Sequence, residues 1–286
     1  MTEHTSSLDT HESSEGQLLQ GKSCVVTGAA MGIGEAIARA FVAQGASVVV
    51  ADLSEAGEQV AQDLGVRAVF TRCDVSRESD VGAAVALAVE RFGGLDVMVN
   101  NAGVGSGYDD PSAIEEADMD RVISVNQKGV MFGMKHAAKA MGERGGSVIN
   151  IASIAALSGG TSGFIYTGTK GAVAALTRSG ALHLGDRNIR VNALAPGIIL
   201  TPIYESSYPP GVAKTVLSRQ TGTQQPIRRL GEGADVAGPA VFLASDLAAY
   251  VTGQVIAVDG GYSSTHRGGM EAGFAYLQEV LGGLEG

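Results

Sequence analysis

Ser23-Cys24-Val25-Val26-Thr27-Gly28-Ala29-Ala30-Met31-Gly32-Ile33-Gly34 runs from a short apolar stretch straight into a glycine-rich turn. Its first four residues have the character of a strand covered on both faces. From Ile33 to Gln44 the apolar spacing becomes that of an amphipathic helix. Glycines at 28, 32 and 34 allow a tight turn and let a ligand approach the backbone where a Cβ would collide. The helix beyond them aims free N–H groups and the positive end of its dipole at the turn, which suits a pyrophosphate. Gly28, Met31, Gly32, Ile33 and Gly34 are therefore candidate dinucleotide contacts. A lone glycine cluster also serves as an ordinary strand–helix turn, so its meaning depends on what surrounds it.

The same rhythm continues outward. Strand-like runs at 47–50, 66–72, 97–100, 147–151, 189–194 and 254–258 alternate with helical patterns at 55–64, 79–92, 118–141, 162–184 and 234–244. Apolar strands joined by helices predict a parallel sheet covered on both sides, a doubly wound α/β fold. With no internal repeat and no dividing linker, residues 21–262 read as one dinucleotide-binding catalytic domain. Residues 196–226 contain five prolines and read as a long substrate loop with room for one helix. Residues 1–20 are polar and acidic and read as a disordered tail without the marks of a signal peptide. Residues 263–286 form a C-terminal extension with Phe274, Leu277, Leu281 and Leu284 at helical spacing.

Asp52 ends the second strand, about 20 residues beyond the glycines, where a carboxylate accepts hydrogen bonds from both hydroxyls of an adenosine ribose. It would repel a 2′-phosphate, and neither the glycine loop nor the residues directly after Asp52 supply an Arg or Lys to neutralise one. The expected cofactor is thus NAD rather than NADP, with Leu53 beside the same edge. Asp74 and Val75 close the third strand and face the adenine end. Asn101, Ala102 and Gly103 follow the fourth strand at the ligand-binding edge of the sheet.

Tyr166 and Lys170 lie one turn apart on a predicted helix and share a face. A free phenol titrates near ~10 and is a poor base at neutral pH; an adjacent ammonium stabilises the phenolate. By itself such a pair is often packing plus a solvated amine, and its value comes from company.

That company resembles the short-chain dehydrogenase/reductase family. Thr27–Gly34, Asn100–Gly103, Asn126, Ser153, Tyr166–Lys170, the run from Pro196 to Thr201 and the Asp259-Gly260-Gly261 segment stand in the family's order over about residues 20–262. The length and the Thr-Gly-x3-Gly-x-Gly form resemble its single-domain branch, with a Rossmann sheet. The resemblance implies that Tyr166 exchanges a proton with the substrate oxygen, which Ser153 orients. It implies that Lys170 tunes Tyr166 and grips the nicotinamide ribose, and that Asn126 anchors a water leading from Lys170 to solvent. Pro196, Gly197, Ile199 and Thr201 would meet the nicotinamide end, and a homotetramer is implied as well. Gly168 departs from the Ala or Ser often found between the Tyr and the Lys.

The formal net charge of −10 disfavours nucleic acid and anionic membrane surfaces as partners. Five histidines without ligand spacing predict no metal site. Two cysteines inside apolar runs and no apolar stretch of the ~20 residues that span a bilayer predict a cytoplasmic protein. Residues 197–213 contain no Arg or Lys, whereas Tyr204, Tyr208, Pro209, Pro210, Ile154, Ala155 and Leu157 offer apolar area. The substrate expected is a neutral secondary alcohol or ketone of cyclic or apolar character, terpenoid or steroid-like, since this loop offers no partner to a carboxylate or phosphate. Two alternatives stand beside it: a 3-oxoacyl carrier-protein reductase using NADPH, and a non-catalytic nucleotide-sensing protein.

Overall fold

The computed structural model describes residues 16–106, 110–158, 162–202 and 211–264. Residues 1–15, the aromatic and proline cluster at 203–210 and the helical spacing seen at 274–284 lie outside the described residues.

Among the described residues, seven parallel strands form one sheet in the order β3-β2-β1-β4-β5-β6-β7. They are β1 (Ser23–Thr27), β2 (Ser47–Asp52), β3 (Ala68–Arg72), β4 (Val97–Asn100), β5 (Gly146–Ile151), β6 (Ile189–Pro196) and β7 (Val255–Val258). The order reverses between β1 and β4, which opens a crevice at the carboxyl edge where ligands bind in such sheets.

Helices α1 (Gly32–Ala43), α2 (Ala56–Leu64) and α8 (Gly233–Ala244) cover one face; α3 (Glu78–Phe92), α5 (Gly129–Met141) and α6 (Phe164–Leu184) cover the other. The continuous apolar strands are explained by their alternation. Cys24, Val26, Val48 and Val50 pack toward Ile37 and Phe41 of α1 and Val236 of α8. Val25, Val49 and Met98 point oppositely, toward Val81, Ala84 and Val85 of α3 and Met141 of α5.

Most elements keep the predicted bounds within two residues. The helix expected over 118–141 is the exception. It divides into α4 (Glu116–Ile123), a π turn at Ser124–Lys128 and α5. No apolar period announces that break, because it is set by a buried polar group, Asn126. In the segment 196–226, β6 runs on through Pro196, and α7 (Ala213–Gln224) is the one helix among the described residues.

Candidate active site

The glycine turn is tight for reasons that differ at each position. Gly28 has a φ of +64°, and a Cβ there would stand 2.8 Å from Cα of Ala102. At Gly34 a Cβ would stand 2.0 Å from the carbonyl oxygen of Gly28, so the turn closes on its own helix. Gly32 has a φ of +60° and faces Thr201, whose Cγ2 lies 3.3 Å from the Cβ position. The loop after β6 thus reaches the glycine turn, bringing two predicted cofactor segments together. Met31 is exposed at the start of α1, and Ile33 is half-buried.

Asp52 is fixed at the end of β2 by two backbone donors. Its Oδ2 accepts from Ala30 N and its Oδ1 from Ser54 N, both at 2.9 Å. Each oxygen keeps a further lone pair for a ribose hydroxyl. Leu53 beside it is more than half exposed, a solvent-facing apolar group at the crevice. The neighbouring strand also brings a cation that is distant in sequence. Arg72 is the in-register partner of Asp52, and its Nε lies 3.5 Å from Glu55.

Asp74 and Val75 follow β3 rather than ending it. Oδ1 of Asp74 accepts from the backbone and hydroxyl of Ser76, at 3.0 and 2.6 Å, and these bonds hold its carboxyl below the usual range. Val75 is buried. Asn101 donates from Nδ2 to the carbonyls of Thr27 and Gly28, each at 2.9 Å, and so ties β4 to β1. Pro196 closes β6, and a Cβ on Gly197 would stand 2.8 Å from Cα of Asp259. Ile199 buries its side chain in the core, which leaves its backbone as its face toward a ligand.

A pocket of about 300 Å³ is lined by Ile198, Ile199, Gln225, Ile227, Arg229 and Gly260. Ser153, Tyr166 and Lys170 are not among its lining residues.

Those three residues meet where the carboxyl end of β5 faces the first two turns of α6. Ser153 lies two residues beyond β5, and its Oγ accepts from Ala155 N at 3.1 Å, capping a 3-10 turn. The same hydroxyl lies near enough to the phenol of Tyr166 to draw its pKa down. Lys170 is 4% exposed; its Nζ donates to the carbonyl of Ile151 at 2.8 Å and sits 5.6 Å from the centroid of the Tyr166 ring. Asn126 is fully buried in the π turn, where Oδ1 accepts from Val104 N at 2.8 Å and Nδ2 donates to Val104 O at 2.9 Å.

One electrostatic expectation changes. An ammonium one turn away was expected to lower the phenol. Burial instead pushes Tyr166 upward, and the Ser153 hydroxyl pulls it only partly back. Burial also pushes Lys170 down to about 8. Desolvation works against both charged forms, and spacing along a helix does not reveal it.

Three residues organise the site in roles the sequence reading does not give, Thr27 standing there only as the first residue of the glycine motif. Thr27 Oγ1 donates to Val99 O at 3.2 Å and accepts from Asn101 N and Ala102 N at 3.0 and 3.2 Å, holding the glycine turn and the turn after β4 at one point. Ser106 Oγ accepts from the backbone N of Tyr166 at 3.2 Å, satisfying a donor in the first turn of α6. Thr169 accepts from Asn126 Nδ2 at 3.2 Å. The available signal was a hydroxyl residue at a strand end, in a glycine-rich loop and inside a helix.

Among the described residues no group of acidic, His or Cys side chains is arranged to hold a metal ion. No helix among them is long and apolar enough to cross a membrane.

Comparison with known proteins agrees with this geometry. A family model described as enoyl-(acyl carrier protein) reductase matches residues 28–263. A short-chain dehydrogenase reductase of Arabidopsis thaliana is 42% identical over 255 residues, 85% of this chain and 93% of the relative. The (+)-borneol dehydrogenase 2 of Salvia officinalis is 40% identical over 264 residues, 87% of this chain and 91% of the relative. The cis-4-hydroxycyclohexanecarboxylate dehydrogenase of Sinomonas cyclohexanicum is 40% identical over 253 residues, 87% of this chain and 99% of the relative. The chain belongs to the short-chain dehydrogenase/reductase family, whose oxidoreductases use a nicotinamide cofactor.

Proposed function

We propose that the protein is an NAD-dependent dehydrogenase that interconverts a neutral, cyclic or apolar secondary alcohol and its ketone, with Tyr166 as general acid and base. The observation that carries this reading is the buried Lys170 ammonium, held by the carbonyl of Ile151 at 2.8 Å and lying 5.6 Å from the centroid of the Tyr166 ring, with the Ser153 hydroxyl beside the phenol. A hydroxyl and a phenol side by side suit one substrate oxygen, which the first orients and the second protonates or deprotonates.

Within this reading the chain's own groups divide the work. Ser153 holds the substrate oxygen, and Tyr166 gives it a proton in reduction and takes one in oxidation. Lys170, fixed by the carbonyl of Ile151, keeps a positive charge beneath the phenol while protonated. Asn126 completes the wall beside Lys170 and keeps the family's role in passing protons to solvent. The glycine turn, Asp52, Leu53, Asp74, Val75, Asn101, Ala102, Gly103, Pro196, Gly197, Ile199 and Thr201 would hold the dinucleotide, Tyr166 and Lys170 meeting its nicotinamide end. The positive φ at Gly28 and Gly32 shapes a turn whose backbone N–H groups suit that ligand. When bound, the nicotinamide supplies the hydride acceptor or donor.

The carboxylate of Asp52 favours NAD. Cyclic-alcohol dehydrogenases among the relatives favour a ring-bearing substrate, although one of them acts on a carboxylate-bearing ring. Exposed apolar groups on α8 and after it, Phe242, Leu247 and Tyr250, support assembly as a homotetramer. Two buried free thiols favour a reducing, cytoplasmic setting.

The test follows nicotinamide absorbance in the purified protein with NAD or NADP and a panel of neutral cyclic, terpenoid and steroid alcohols, beside a hydroxycyclohexanecarboxylate. Turnover of neutral alcohols with NAD, lost in Tyr166→Phe, is the expected result. A 3-oxoacyl thioester with NADH or NADPH completes the panel, and turnover confined to it with NADPH would instead identify a carrier-protein reductase. Firm NAD binding without turnover of any carbonyl or alcohol would identify a nucleotide sensor.

A further inference from the structure

Thr169 occupies the position before Lys170, is 3% exposed, and makes two hydrogen bonds that join two helices. Its hydroxyl donates to the carbonyl of Tyr166 at 2.8 Å, which uses its single proton. Toward Asn126 it can then act only as an acceptor, and it receives Nδ2 at 3.2 Å. Nδ2 also donates to Val104 O, while Oδ1 accepts from Val104 N. The orientation of the Asn126 amide is thereby determined rather than free.

That orientation matters for charge. A Cβ on Gly103 would stand 3.3 Å from Asn126 Oδ1 and 3.4 Å from Lys170 Nζ, so the two atoms flank the same small gap. The carbonyl end of the amide dipole is presented on the side of the ammonium. Lys170 otherwise meets the carbonyl of Ile151 from β5, the backbone of Gly103 from the loop after β4, and the phenol of Tyr166 from its own helix. Tyr166 is the titratable group facing it, and no carboxylate among the described residues contributes to its titration.

We propose that Thr169 is a positioning residue for proton transfer: it locks the Asn126 amide with its oxygen toward Lys170 and ties the π turn to the turn of α6 that carries Tyr166 and Lys170. The proposal deepens the dehydrogenase reading above and rests on it for the consequence to turnover, but its physical core concerns Lys170 alone.

The experiment therefore reads Lys170 directly. In nucleotide-free protein carrying ¹³C-labelled lysine, the side-chain resonance assigned by its loss in Lys170→Met is titrated in wild type, Thr169→Val, Thr169→Ala and Thr169→Ser. The Val and Ala variants should titrate about half a unit or more lower, because a fixed carbonyl dipole no longer favours the ammonium. Ser, which keeps the hydroxyl, should follow wild type. With whichever alcohol the wild type oxidises, Val and Ala should lower kcat about tenfold, less than the roughly 10²–10⁴-fold a proton-transfer group itself contributes, and displace its pH profile. Nucleotide affinity should stay within about twofold. Should Val fail to fold, Ala carries the same comparison without adding a methyl group beside the amide. A Lys170 titration unchanged in a folded Val or Ala variant overturns the proposal, even if thermal stability falls. A wild type silent toward every alcohol would instead count against the functional reading and leave the titration result standing.

Discussion

Oδ1 of Asn100 presses into α5 at Gly133, 1.7 Å from where a Cβ on that glycine would stand, and has no hydrogen-bond partner among the described residues. The amide cannot swing away easily, since its Nδ2 donates to Asn150 Oδ1 at 2.8 Å, and Asn150 in turn donates to Thr177 on α6 at 3.0 Å. Gly133→Ala should therefore destabilise the protein by about 1–3 kcal/mol, the usual cost of overfilling a packed interior. Gly168 and Gly171 lie in a helix with open space at the Cβ position, and alanine at either should add up to about 1 kcal/mol. Urea midpoints for the three variants check the contrast. Equal destabilisation by all three would contradict it.

Lys170 gives stability a particular pH dependence. Its pKa falls from 10.5 in the unfolded chain to about 8 in the folded protein, so the folded state surrenders its proton first. Below about 8 the ammonium is charged in both states and the cost of burying it is fully present. Between about 8 and 10.5 the unfolded state binds more protons, and this contribution rises with pH. Wild type should gain stability relative to Lys170→Met across that window. Parallel stability curves for the two proteins would exclude the shift.

Asp52 should govern the choice between dinucleotides. Asp52→Asn keeps an acceptor for one backbone N–H but removes the charge that opposes a 2′-phosphate. It also leaves Arg72, in register on β3, as a cation within the same neighbourhood. NAD affinity should fall about tenfold, roughly the loss of one charge-assisted hydrogen bond, while NADP binding improves. Dissociation constants from fluorescence titration decide the matter, and an unchanged preference would remove Asp52 from the ribose site.

The two thiols should be inert in the folded protein. Cys24 is wholly buried in β1, and burial pushes its pKa upward; that of Cys73 is pushed up to about 12 by burial and by the nearby acids Asp80, Asp74 and Asp52. Iodoacetamide at pH 8 should modify neither until urea unfolds the chain. Mass spectrometry showing rapid labelling of native protein would be inconsistent with that burial.

The sheet was legible because both of its faces are covered, so each strand writes a nearly continuous apolar run. Val25 and Val26 are neighbours in the chain yet belong to opposite cores, and the run records both. The three glycines of the turn after β1 were legible because each has a steric need that no other residue meets. What stayed hidden was polar and long-range. Thr27, Ser106 and Thr169 act through partners many residues away, and a hydroxyl in a turn or helix carries no mark of which backbone it will meet. The break at Asn126 was hidden for a related reason: the helical apolar pattern continues across it. The upward shift of Tyr166 required burial, which a spacing of four residues does not contain.

The π turn at Ser124–Lys128 makes chain length, as well as composition, a constraint on this fold. An α-helix rotates by about 100° per residue, so removing one residue here to restore an uninterrupted helix would turn α5 by that angle against its neighbours. Ala137 and Met141 would leave the interior, and Gly133 would no longer offer its bare backbone to Asn100. Substitutions within the turn change a side chain, whereas a deletion reorients a whole wall of the protein. Natural variation at this point should thus be far freer in kind than in number.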